Sequence, residues 1–236
     1  VKDGKAVYTG KVSDYDGNYG DYNSHCYANV NGNWVFLGAA TFTVTGNKAN
    51  VSVSDVDKNG GFTITISGIT SPSGVKNISV PTWRDKNQND IVWYSAEKQA
   101  DGTYKVNANI ANHKYHTGTF HAHCYITANN GVWNNAGMTD KDLTPGVSCK
   151  ASLGADNNTV TFSISQYPGY ADHIYAAVWG GQNGQNDITW DEIDRNSLTA
   201  RDTVTAHGEK GHYNAHFYAR SNDTWIFLGA AEFVVK

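Results

Sequence analysis

No apolar run in the 236 residues approaches the length of a membrane-spanning helix, so insertion by helices is excluded. Basic residues do not cluster. The 18 Lys and Arg stand against 22 Asp and Glu, and a net charge of −4 lacks the footprint of a nucleic-acid binder. Charged residues are only 17% of the chain and no stretch carries a 3.6-residue apolar period, which argues against a helical protein. Proline is scarce, and the three cysteines are an odd number. No GxSxG, HExxH or phosphate-binding loop is present. The opening VKDGKAVYTG does not read as a signal peptide, and is expected to be a cut inside a longer protein.

What is present is repetition. The segment GTFHAHCY (118–125) returns as GDYNSHCY (20–27) and GHYNAHFY (211–218). VKNISVPTW (75–83) matches ADHIYAAVW (171–179), and QNDIVW (88–93) matches QNDITW (185–190). NGNWVFLGAATFTV (31–44) matches NDTWIFLGAAEFVV (222–235). The chain thus holds about two and a half repeats of roughly 90 residues. The expected division is 1–50 as the trailing half of a repeat, then full repeats over 51–143 and 144–236. Short β-type runs such as FTITISGI and VTFSIS alternate at period two, between turns such as DKNGG, SPSG and DKNQND. The predicted class is all-β, with tandem immunoglobulin-like β-sandwich modules. Tyr22, Phe120 and Tyr213 stand where a tyrosine corner would, although Phe120 has no hydroxyl to make one.

Taken as a strand, the repeated segment has two faces. Cys26, Cys124 and Phe217 share one that is small or apolar in every copy, and it is assigned to the core. That assignment makes the cysteines small hydrophobes rather than disulfide partners. The other face carries His25 and Tyr27, then His121, His123 and Tyr125, then His216 and Tyr218. Histidine and tyrosine in register, where any polar residue would serve, suggest a ligand-binding surface. Cross-strand stiffening of the sheet is the competing explanation. Trp83 and Trp179 are candidates to join that surface by stacking on sugar rings, or else are core tryptophans. Trp93 and Trp190 share parity with Ile91 and Ile188 and are assigned to the core. Asp90 and Asp187 either cap backbone N–H groups or bind a ligand. His113, His116, His121 and His123 crowd the middle repeat, but a polar loop is preferred to a zinc centre. No metal and no cofactor are assigned. DVDKNGG (55–61) starts like a calcium loop but has Ile66 where the glutamate belongs, so a hairpin turn is expected. His25–Cys26 and His123–Cys124 are strand neighbours pointing to opposite faces, which rules out a Cys–His nucleophile from these pairs and argues against an enzyme.

VPTW followed by NQNDIVWY, then ADGTYKV, then His and Gly-x-(Tyr/Phe)-x-x-His-x-Tyr, resembles the GBS Bsp-like repeat of streptococcal and related Gram-positive surface proteins and wall hydrolases. The likeness is good over 75–126 and weaker over 171–218, where the DG-x-Y element is lost. It implies a secreted, wall-associated module that binds peptidoglycan or an attached glycopolymer beside a separate catalytic domain. A structural spacer or a host-directed adhesin is the alternative. The incomplete first repeat is expected to pack on its neighbour or to form a homodimer by exchange.

Overall fold

The computed structural model describes residues 4–208 and 210–236. Its strands fall into three groups. The first is a lone hairpin, β1 (Gly20–Val30) and β2 (Asn33–Val44). The second comprises β3 (Lys48–Val53), β4 (Gly61–Thr70), β5 (Val75–Trp83), β6 (Val92–Ser95), β7 (Glu97–Lys98), β8 (Tyr104–Asn109), β9 (Gly118–Ala128) and β10 (Trp133–Leu143). The third comprises β11 (Cys149–Leu153), β12 (Thr159–Ile164), β13 (His173–Gly180), β14 (Thr189–Glu192), β15 (Thr199–Thr203), β16 (Gly211–Ser221) and β17 (Thr224–Val235). All the pairings are antiparallel. The second group forms the sheets β3-β4-β8-β7 and β10-β9-β5-β6, and the third forms β11-β12-β15 and β14-β13-β16-β17. Each pair of sheets encloses one core, as an immunoglobulin-like sandwich does, and the two are named the second and third sandwiches after their groups. Where β7 pairs with β8 in the second group, the third group keeps only an isolated bridge, Asp194–Thr199.

Alternation along the strands builds both cores. β4 turns Phe62, Ile64 and Ile66 inward, and β9 answers with Phe120, Ala122, Cys124 and Ile126. β12 turns in Val160, Phe162 and Ile164 against Tyr213, Ala215, Phe217 and Ala219 of β16. Asp57 shapes the turn before β4. Its Oδ1 accepts the amides of Asn59 and Gly61 at 2.7 and 2.8 Å, so DVDKNGG is a hairpin turn. The tyrosine corner is made in the first group, where Tyr22 Oη donates to the Asn18 carbonyl at 2.8 Å.

The hairpin β1–β2 corresponds to β9–β10 and to β16–β17 but, among the described residues, has no opposing sheet. The Cys26 assignment therefore needs correcting: Cys26 is exposed, whereas Cys124 is buried. Leu37 is 63% exposed and its counterpart Leu228 only 5%. The difference arises in the packing, because the two hairpin sequences match closely.

Adjacent groups touch directly. Gly169 N–H donates to the Lys58 carbonyl at 2.7 Å, and Tyr115 and Tyr170 lie 6.0 Å apart where the two sandwiches meet. At the other junction Asn47 Nδ2 donates to Asn134 Oδ1 at 2.7 Å, and a Cβ on Gly17 would lie 2.2 Å from Ser73 Cβ.

Candidate functional site: an aromatic sheet face

The sheets β10-β9-β5-β6 and β14-β13-β16-β17 each turn one face outward. On the first, β9 carries His121, His123 and Tyr125, as its alternation requires. β5 pairs with β9, setting Trp83 opposite His121 and Ser79 opposite Tyr125. β6 pairs with β5, setting Trp93 opposite Pro81 on this same face. β10 contributes Trp133 opposite Thr127. The rings make one continuous patch. Trp83 lies 4.7 Å from His123 edge-on, His123 is 6.4 Å from Tyr125, and Tyr125 lies 5.7 Å from Trp93. Tyr125 and Trp133 stack at 4.4 Å and 13°. That stacking covers part of Tyr125 and leaves Trp93 and Trp133 as the exposed ends.

The third group repeats the patch with more rings. Trp179 meets His216 at 4.7 Å, and Trp190 meets Tyr218 at 5.7 Å and Trp225 at 5.4 Å. Tyr175 approaches Trp225 at 5.6 Å, and Phe227 approaches Tyr218 at 5.5 Å. In the lone hairpin the same positions bring His25, Tyr27 and Phe36 together at 5.4–6.3 Å, and no strand among the described residues supplies counterparts of Trp83 and Trp93.

The His-x-Tyr residues therefore do share an outward face, and Trp83 and Trp179 stand beside them. These two indoles are only 8% and 9% exposed and act as a floor under His123 and His216 rather than as open platforms. Trp93 and Trp190 contradict their assignment to the core, being 54% and 49% exposed. The parity argument failed because β6 begins at Val92, so Ile91 lies outside the strand. The inward residue is Tyr94, which packs on the core. The sequence reasoning also passed over Trp34, Trp133 and Trp225, although tryptophan at one position in all three copies was a readable signal.

Asp90 and Asp187 make the backbone-capping contacts that were one of the two roles expected of them. Asp90 accepts the amides of Arg84 and Asp85 at 2.9–3.2 Å, and Asp187 accepts that of Gly180 at 3.1–3.2 Å. Burial alone would raise the Asp90 pKa, but these amides outweigh it and hold it below the usual carboxylate value. The two aspartates shape the loop that follows the tryptophan strand.

Polar atoms border the aromatic face. His121 Nδ1 lies 2.7 Å from Asp140 Oδ1, and His123 Nδ1 lies 3.4 Å from Asn135 Nδ2. Burial, and then the neighbouring His121, lower the His123 pKa, which favours a neutral ring with one donor and one acceptor. His216 Nδ1 lies 3.4 Å from Tyr218 Oη. Flat apolar rings with hydroxyl and imidazole groups beside them can stack on C–H surfaces and exchange hydrogen bonds with hydroxyl-rich molecules.

The sequence profile of the GBS Bsp-like repeat matches residues 50–141 and 151–232, most of the chain. No curated protein sequence matches it. Among solved structures, a polysaccharide deacetylase from Bacillus cereus is similar at 10% identity and a TM-score of 0.36, over 44% of this chain and 31% of that one. A tetra-tandem repeat from the extending region of a large adhesion protein is similar at 13% identity and 0.33, over 92% of this chain and 57% of that one. A two-domain fibronectin type III segment of chicken tenascin is similar at 10% identity and 0.35, over 80% of this chain and 99% of that one. Scores this low bear on neither ligand nor activity. No helix among the described residues is long and apolar enough to cross a membrane.

Proposed function

The chain belongs to the GBS Bsp-like repeat family, a repeat family of surface proteins, and from that premise we propose that it is a non-catalytic module that binds cell-wall glycan outside the cell. The observation that carries this is the pair of indoles left open at equivalent places in both sandwiches. Trp93 and Trp133 in one, and Trp190 and Trp225 in the other, are about half exposed on the outward face. Folding alone does not call for large apolar rings gathered there, and contiguous exposed apolar surface marks a contact site. Pyranose rings of peptidoglycan or an attached glycopolymer offer the C–H faces such indoles stack on. Their hydroxyls suit the imidazole and phenol groups alongside. Two faces in one chain raise avidity through effective concentration when both engage the same polymer. A catalytic domain, where the parent protein has one, would be delivered to the wall by this binding.

The test is a pull-down on purified streptococcal sacculi, with and without teichoic acid and polysaccharide removed. Trp93→Ala combined with Trp190→Ala is expected to lower binding more than tenfold with unchanged thermal unfolding, since both indoles are half exposed. The stripping series identifies the polymer. A parent chain that leaves every sacculus preparation unbound would replace this function by the spacer or adhesin one.

A further inference from the structure

The second sandwich holds a group of side chains that the aromatic face does not use. The loop after β5 carries Asp85 and Asp90, and the segment before β9 carries His116. Their ligand atoms lie within 4.8 Å of one another. His116 Nδ1 sits 3.2 Å from Asp85 Oδ1 and 3.6 Å from Asp90 Oδ2. The nitrogen atom itself is buried and makes no hydrogen bond, so only ion pairing or a shared cation holds it against the two carboxylates.

Three features suit a cation at this point. The spacings bracket the edge of about 3.3 Å expected of a tetrahedron with bonds of about 2.0–2.1 Å to nitrogen and oxygen. The Asp90 carboxylate is held by the Arg84 and Asp85 amides, which fixes its orientation as outer-shell partners do around a metal. His116 and Asp85 keep part of their side chains exposed, at 32% and 21%, so solvent reaches the edge of the group. We propose that Asp85, Asp90 and His116 form a zinc-binding site that clamps the loop after β5 to the segment leading into β9. One nitrogen and two oxygens in a small triangle favour Zn²⁺ over Ca²⁺, which takes six to eight oxygens at longer distance, and over Mg²⁺, which keeps an octahedral water shell. Arg84 Nη1 lies 3.4 Å from Asp85 Oδ1 and swings aside on binding, still anchored through Nε to the Thr117 carbonyl. The third sandwich supplies a natural contrast. Asp187 keeps the capping role there, but Gly181 stands in place of Asp85 and residues 208–210 contain no histidine.

Zn²⁺ titrated calorimetrically into the untagged, metal-free chain tests this. One equivalent is expected to bind and to raise the unfolding temperature, whereas Ca²⁺ and Mg²⁺ leave it unchanged. His116→Ala and Asp85→Asn, both at partly exposed positions, are each expected to weaken Zn²⁺ binding more than about tenfold. His121→Ala with His123→Ala, the other histidine pair of this sandwich, is expected to leave it intact. Zn²⁺ binding that survives His116→Ala, or that is lost only with His121 and His123, overturns the site. So does an absence of binding at micromolar Zn²⁺, or an equal response to Ca²⁺.

Discussion

Phe217→Ala is expected to lower the stability of the third sandwich by about 3–5 kcal/mol, while Cys26→Ala at the equivalent place in the first hairpin changes stability by less than about 0.5 kcal/mol. Both residues occupy the inward-assigned face of the same repeated strand. Phe217 is fully buried, pairs with Ala176 on one side and Gly229 on the other, and meets Phe162 edge-to-face at 6.4 Å. Truncation removes most of its apolar surface and leaves a cavity that the surrounding strands fill only in part. Cys26 faces solvent, because β1 pairs with β2 alone and no second sheet among the described residues lies over it. Urea unfolding followed by tryptophan fluorescence measures both effects. Thiol reactivity gives an independent check. In the native chain Cys26 reacts readily, while Cys124, its buried counterpart with a thiol pKa pushed up to about 12 by burial, reacts only after unfolding. Equal costs for the two substitutions would mean that the hairpin face is covered in solution.

His207→Leu is expected to cost about 3–5 kcal/mol, read by urea unfolding. His113 and His207 end the corresponding turns, Ile110–His113 and Val204–His207, of the two sandwiches, but they perform different work. His113 Nδ1 meets the Asp90 carbonyl at 3.0 Å, and its Nε2 meets the Tyr94 hydroxyl at 2.9 Å. Burial lowers its pKa, and a neutral ring satisfies both contacts. In the third sandwich Asp191 replaces Tyr94, and Asp202 replaces Ala108. His207 Nδ1 now faces Asp187, and Nε2 lies 2.8 Å from Asp202 Oδ2. Removing this ring takes the hydrogen-bond partner from Asp187 and Asp202 at a place where Asp191 also lies close.

The same cluster sets a pH dependence. Burial, and then the Asp202 charge, push the Asp191 pKa up to about 6 from an ordinary 3.8. Between those values the folded chain keeps a proton that the unfolded chain has released, so stability falls as pH rises through this window. Asp191→Asn is therefore expected to stabilise the chain at pH 7 and to lose that advantage near pH 4. Thermal unfolding from pH 4 to pH 7 reads this directly. An Asp191→Asn variant less stable than the parent at pH 7 would show that the carboxylate is held by favourable contacts instead.

The amino-acid sequence by itself determined the β class, the repeats, the two faces of the His-x-Tyr strand and the hairpin turn at Asp57. Each of these rests on local chemistry: period-two alternation, turn residues, and self-similarity along one chain. Tertiary structure alone decided which indoles stand open. Trp93 and Trp83 lie on the same face, yet β6 is an edge strand that leaves Trp93 in solvent, whereas His121 and His123 lean over Trp83 on the neighbouring strand. It alone decided that Cys26 is exposed while Cys124 is buried, since burial requires a second sheet that a strand's own residues do not encode. It also brought His116 to Asp85 and Asp90 and placed three carboxylates around His207. Although Asp202 lies only five residues from His207, the remaining partners come from separate elements, and the pairing of strands across each sandwich sets the distances between them.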